Sequence, residues 1–191
     1  MSNVIIYGSQ QFAHYVRDLV EECGHRFVGY IDDFTKGQDV LGTFDEVRRK
    51  YNPKDFKIVI AIGYNNLKAR WQVYNRVNDV GYEVVSIIHP TAYIHKTAKI
   101  GRGAIICAGT IVDYNVSIGD ATFIWPGVTV NHDAKIGSNC YLSPQVNICG
   151  FATVGHNCFL GASSIVINGS FINDNSFIKA GTIYHRKETS K

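Results

Sequence analysis

Between Ile94 and Ile178 every sixth residue is aliphatic: Ile94, Ile100, Ile106, Val112, Ile118, Ile124, Val130, Ile136, Leu142, Ile148, Val154, Leu160, Val166, Ile172 and Ile178. The phase is never broken. Two residues ahead of each stands a small or β-branched residue, from Ala92 and Ala98 through Cys140 and Val146 to Ser170 and Ser176. A period of six matches neither the turn of an α-helix nor the alternation of a flat strand. It is the repeat of a parallel β-helix, in which three hexads close one triangular coil and stacked coils bury a continuous core. Fifteen hexads give five coils of eighteen residues, a prism roughly 24 Å tall at sheet spacing.

The N-terminal half follows another pattern. Val4-Ile5-Ile6-Tyr7 is a short apolar run stopped by Gly8. From Phe12 to Cys23 the apolar residues Phe12, Tyr15, Val16, Leu19 and Val20 fall at helical spacing, closed by Gly24. Strands are expected at Phe27 to Ile31, Ile58 to Ile62 and Tyr82 to Ile88, and helices at Phe44 to Tyr51 and Asn66 to Val80. Alternation of this kind predicts a small Rossmann-like α/β domain with a parallel sheet over 1–88. His89-Pro90 punctuates the switch to a β-helix domain over 89–191, whose polar end, Tyr184 to Lys191, is expected to act as a cap or loose tail.

Composition removes several function classes. A formal charge of +3, from 19 basic and 16 acidic residues, is too balanced for a nucleic-acid surface. The sequence has no long apolar run and no charged-then-apolar start, so no membrane span is expected and the cytoplasm is the expected compartment. The five cysteines are odd in number and contain no C-x-x-C pair, which argues against a disulfide framework or a structural zinc site. Cys140 and Cys158, one coil apart in the small inward position, read as core hydrophobes.

Two groups of residues carry chemistry. In open α/β sheets ligands bind beyond the carboxyl ends of the strands, where Gly8-Ser9-Gln10-Gln11-Phe12, Asp32-Asp33 and Gly63 fall. A helix starting just after Gly8 offers free N–H groups and a favourable dipole to phosphate. The loop lacks G-x-G-x-x-G, so a mononucleotide diphosphate fits it better than a dinucleotide. Asp32 or Asp33 is placed to accept from a ribose or base. The second group lies on the prism. His132, next to Asp133 at a corner, is a candidate general base with an orienting acid, although the same dipeptide also reads as an ordinary polar turn. One coil on stands Gly150, whose N–H is placed to meet an oxyanion. On another edge Pro144, Ala162 and Ala180 form a column of small residues that would admit a long ligand. A metal reading, in the manner of hexapeptide carbonic anhydrases, lacks its second histidine: five residues after His156 stands Gly161.

Taken together, Ile6-Tyr7-Gly8-Ser9, Tyr30-Ile31-Asp32-Asp33-Phe34 and Val130-Asn131-His132-Asp133-Ala134-Lys135-Ile136-Gly137 resemble the NeuD/PglD-type sugar acetyltransferases, over nearly the whole chain. The resemblance implies a left-handed β-helix, with acetyl-CoA as co-substrate and no metal. It implies a homotrimer with active sites between subunits, and an acceptor that is a nucleotide-linked 4-amino-4,6-dideoxy sugar. On it, His132 is the general base, Asp133 its acidic neighbour and Gly150 the amide that meets the thioester. Coenzyme contacts fall near Tyr141, Ala162 and Ala180, and the sugar nucleotide falls on Gly8 to Phe12, Asp32, Asp33 and Gly63. Tyr141 stands where some relatives carry a histidine that touches the acetyl donor. The alternatives are an O-acetyltransferase acting on a sialic-acid-type sugar and a non-catalytic sugar-nucleotide-binding scaffold.

Overall fold

A computed structural model describes residues 1–186. The chain divides into two units, Met1–Ile87 and a second that begins at Ile88. The first is built on a sheet of β1 (Asn3–Tyr7), β2 (Arg26–Ile31), β3 (Val40–Gly42) and β4 (Phe56–Ile60), in the order β3-β2-β1-β4 with every pair parallel. Val4, Ile5 and Ile6 are fully buried at its centre, as expected of a strand covered on both faces. Helix α1 (Gln11–Glu22) buries Ala13, Val16, Leu19 and Val20. Helix α2 (Phe44–Lys50) starts with a capping box, Thr43 accepting from the Glu46 N–H while Glu46 accepts from the Thr43 N–H. Helix α3 (Leu67–Asp79) is capped by Asn66, whose side-chain oxygen accepts from the Ala69 N–H at 2.9 Å.

One strand falls elsewhere than expected. Tyr82 to Ile88 does not extend the α/β sheet as a strand; it touches β4 through one parallel bridge, Ile58 with Val84. Burial explains the break. Tyr82 and Val84 are buried in alternation, but the next buried residue is Ile87, so the side-chain phase slips and the pleat cannot continue. The sheet takes β3 instead. That strand is three residues long and only half-buried, so it leaves no apolar run to detect.

The second unit is a parallel β-helix of two-residue rungs. Its first face stacks Ile87–Ile88, Ile105–Ile106, Phe123–Ile124, Tyr141–Leu142, Phe159–Leu160 and Phe177–Ile178. The second stacks Tyr93–Ile94, Ile111–Val112, Thr129–Val130, Asn147–Ile148, Ile165–Val166 and Ile183–Tyr184. The third stacks Lys99–Ile100, Ser117–Ile118, Lys135–Ile136, Thr153–Val154 and Phe171–Ile172. The register is eighteen residues throughout, as in Ile124 opposite Leu142 and Val130 opposite Ile148. The hexad aliphatics and their small partners form one core cluster. Corners turn through left-handed backbone, at Asn115, Asp133, Asn139 and Phe151 among others, a conformation that asparagine and aspartate tolerate better than most side chains.

Close stacking leaves no room at some corners. A Cβ on Gly137 would lie 2.6 Å from the carbonyl carbon and oxygen of Gly155 and 2.8 Å from the His156 nitrogen, all backbone atoms of the next coil. Gly137→Ala therefore forces two coils apart, and we expect it to lower unfolding stability by about 1–3 kcal/mol in a urea titration. An unchanged midpoint would mean that the coils separate freely at this corner.

Candidate active site

The carboxyl ends of β1, β2 and β4 open into a cavity of about 550 Å³. Gly8, Ser9, Gln10, Phe12, Asp32, Asp33 and Gly63 all line it, and Gln11 does not. Its floor is set by Gly8, whose φ of +115° and 2.6 Å approach to the Ala61 carbonyl oxygen (for a Cβ placed there) both demand glycine. Helix α1 begins directly behind this turn without a side-chain cap and without an acidic residue in its first turn. The positive end of its dipole thus borders the cavity with no acidic side chain in that turn to neutralise it.

Both carboxylates are engaged by the protein. Asp32 accepts from Ser9 Oγ at 2.5 Å and from the Phe34 and Thr35 N–H groups at 2.9 and 2.8 Å. Burial pushes its carboxyl up, but these bonds outweigh burial and leave it below the usual carboxylate range. Asp33 accepts from the Phe44 N–H at 2.8 Å, from the Tyr7 hydroxyl and from Arg76 at 3.1 Å. Burial first, and the bond to Asp33 second, raise the Tyr7 phenol well above its ordinary value, so it acts as a donor. Arg76 also reaches Asp45 at 3.3 Å and lies 4.8 Å over the Phe44 ring. Arg76 is the cation among the cavity-lining residues, and no sequence motif announces it. Phe34, held by the Asp32 turn, is 98% exposed at the cavity rim.

The second site is the corner of the prism between its second and third faces, where Asn131-His132-Asp133-Ala134 joins Thr129–Val130 to Lys135–Ile136. His132 Nδ1 faces Asp133 Oδ2 at 3.1 Å. The other carboxylate oxygen accepts from Asn115 Nδ2 at 2.8 Å, one coil back. Those two bonds, Asn115 first, hold Asp133 below the usual carboxylate range. The arrangement leaves Nε2 to do chemistry. The Nε2 edge of the ring lies over Gly150: a Cβ at residue 150 would be 2.7 Å from both Cε1 and Nε2. Gly150 is therefore the residue that makes space for the imidazole. The Phe151 ring meets the imidazole edge-on at 5.1 Å. Asn115 escaped the sequence reading, although the coil period points to it, eighteen residues before Asp133.

Other expected site residues lie apart from this corner. Pro144, Ala162 and Ala180 sit at the corner between the first and second faces, so the second face separates them from His132 within one chain. Tyr141, on the first face, is 5% exposed and is stacked between Phe123 at 5.3 Å and Phe159 at 5.9 Å. Among the described residues no group of three or more His, Cys, Asp or Glu side chains is placed to hold a metal. No helix among them is long and apolar enough to cross a membrane.

Comparison with known proteins gives both halves a relationship. Residues 3–77 match the PglD N-terminal domain, residues 115–150 the bacterial transferase hexapeptide, and residues 152–183 the hexapeptide repeat of succinyl-transferase. A GDP-perosamine N-acetyltransferase of Escherichia coli O157:H7 is 29% identical over 119 residues, which are 59% of this chain. The match spans about half (52%) of that relative's length. Among solved structures, PerB from Caulobacter crescentus, in complex with CoA and GDP-perosamine, is 27% identical with a TM-score of 0.88, covering 100% of this chain and 92% of that one. The acetyltransferase domain of PglB from Neisseria gonorrhoeae FA1090 is 21% identical with a TM-score of 0.90, covering 99% and 94%. The fold is accordingly an α/β region followed by a left-handed parallel β-helix, as expected.

Proposed function

We propose, on the premise that this chain joins a PglD-type N-terminal domain to the hexapeptide repeats of a bacterial transferase, that it is a sugar N-acetyltransferase. It moves acetyl from acetyl-CoA to the amino group of a nucleotide-linked 4-amino-4,6-dideoxy sugar. The observation that carries this reading is the His132 imidazole, backed by Asp133 and poised over Gly150. The 27% identical PerB binds CoA and GDP-perosamine, an acceptor of the class proposed. In the reaction the neutral amine attacks the thioester carbonyl directly. His132 Nε2 takes the proton released as the C–N bond forms, and Asp133 stabilises the resulting imidazolium. The Gly150 N–H meets the tetrahedral oxyanion. Collapse breaks the C–S bond, and the proton on His132 passes to the departing coenzyme sulfur. No acyl-enzyme forms.

The nucleotide lies in the N-terminal cavity. Its diphosphate faces the uncapped start of α1 and its base or ribose lies near Asp32 and Asp33, with acetyl-CoA along the small-residue column at Ala162 and Ala180. His132 and that column flank the second face, whose outer residues Tyr93, Ile111 and Ile183 are 55%, 44% and 69% exposed. An apolar face of this kind supports assembly with further copies, so that His132 of one chain serves the coenzyme edge of another in a homotrimer. A nucleoside diphosphate is expected to raise the thermal midpoint of the wild-type chain. Gly8→Ala, which drives a Cβ to 2.6 Å from the Ala61 carbonyl oxygen, abolishes that rise. Retention of the full rise by this variant would place the nucleotide elsewhere.

The deciding test supplies acetyl-CoA with nucleotide-linked amino sugars and with sialic acids in parallel. Amide formation on the amino sugar supports the reading. Ester formation on sialic acid alone would favour an O-acetyltransferase. Nucleotide binding without measurable coenzyme A binding by calorimetry would mark a non-catalytic scaffold.

A further inference from the structure

The corner that carries His132 and Gly150 continues one coil further to Ile167-Asn168-Gly169. The Gly169 N–H donates to the Gly150 carbonyl at 3.0 Å, which fixes this turn directly against the Gly150 turn. Asn168 then faces the same vacancy that the imidazole enters. The point where a Cβ of residue 150 would stand is 3.1 Å from Asn168 Oδ1 and 2.7 Å from His132 Nε2. Two acceptor atoms, from residues two coils apart, thus lie together over the Gly150 turn, at 2.7 and 3.1 Å from the point that a Cβ there would take. Among the described residues neither atom is engaged in a hydrogen bond, since the His132 bond is made through Nδ1.

We propose that Asn168 Oδ1 and His132 Nε2 together read the attacking group as an amine rather than a hydroxyl. The inference rests on the acetyl-transfer reading above and assigns it a specificity-determining residue. A neutral amine has two N–H donors and one lone pair. One N–H donates to His132, the other to Asn168, and the lone pair is left aimed at the thioester carbon. A hydroxyl has one donor and two lone pairs. Its O–H must go to the base, one lone pair attacks, and the second is pressed against the Asn168 oxygen in the amide orientation that the structure holds. A site built for two donors penalises a group that has one. During transfer the proton on the His132 side moves to Nε2 as the C–N bond forms. The proton facing Asn168 stays on nitrogen and is the N–H of the product amide. Asn168 therefore holds substrate and product without taking a proton. The distinction between amide and ester formation is thereby placed on the prism corner and not only in the nucleotide cavity.

The test compares kcat/KM for a nucleotide-linked 4-amino sugar and its 4-hydroxy counterpart, with acetyl-CoA, across three forms of the full chain. Wild type is expected to favour the amine. Asn168→Leu, similar in size but without an acceptor, lowers the amine value about ten- to a hundredfold and leaves the hydroxyl value unchanged or raised, so that the preference narrows. Asn168→Asp keeps an acceptor oxygen and keeps the preference. Its added negative charge also favours the imidazolium that forms as the proton moves to His132. A Leu variant that lowers both acceptors equally, or neither, overturns the assignment of Asn168 and leaves the acetyltransferase reading standing. A wild-type chain that acetylates no amine overturns that reading, and this inference with it. The far-ultraviolet circular dichroism and thermal midpoint, measured on the same samples, show that each variant is folded.

Discussion

His132→Ala is expected to lower kcat for the amino-sugar acceptor by about 10²–10⁴-fold while thermal stability and nucleotide binding stay at wild-type values. Both halves of this expectation come from the structure. The side chain is held at the surface by its bond to Asp133 and the edge of the Phe151 ring, and the prism core is made by the hexad aliphatics. Removing the imidazole therefore removes a proton acceptor without opening a cavity. A second variant sharpens the test. Asp133→Asn should lower kcat in the same direction but by less. The lowered Asp133 carboxylate is negative across the working range, and losing that charge makes the imidazolium less favourable. Turnover of His132→Ala within a factor of two of wild type would remove this histidine from the mechanism.

The sequence carries the prism almost completely and the α/β unit incompletely, for reasons that lie in the two kinds of pattern. In the β-helix each rung is two residues long and is stacked on a rung eighteen residues away. The local period therefore encodes the tertiary register, and it places Gly150 beside His132 without coordinates. It also encodes Asn115 beside Asp133 and Asn168 beside Gly150, although neither asparagine is singled out by its own neighbourhood. In the α/β unit the apolar runs reveal β1, β2, β4 and the helices, but not β3, whose pairing with β2 is set by long-range contacts. The cavity shows the same limit. Gly8 and Asp32 are legible as a turn and an acidic pair after strands. Arg76 lies on α3, 43 residues after the Asp33 to which it is bonded, and no repeat or motif links the two. That pairing also shows that Asp33 is already committed within the protein, which the acidic dipeptide cannot reveal.

Gly150→Ala is expected to cost about 10²-fold or more in kcat with the fold intact. The substitution is mild in conformational terms, because Gly150 does not occupy the left-handed region that other corner residues use, and it leaves the backbone N–H in place. Its consequence is steric and local. The new methyl would stand 2.7 Å from Cε1 and Nε2 of His132 and 3.1 Å from Asn168 Oδ1. The methyl cannot retreat, since the Gly150 turn is tied on both sides by the Phe151 N–H to the His132 carbonyl at 3.1 Å and by the Gly169 N–H to the Gly150 carbonyl at 3.0 Å. The imidazole swings out instead and loses its bond to Asp133 together with its place above the Gly150 turn. A double variant separates this account from one in which the methyl blocks the thioester. Once His132 is alanine, the methyl keeps only its 3.1 Å approach to Asn168 Oδ1, so Gly150→Ala in that background should cost less than about tenfold, as residues that act as a unit lose their separate effects. A further 10²-fold loss in the double variant would mean that residue 150 acts on the substrate independently of the histidine. The corner would then be a binding surface rather than a base held in position by a glycine.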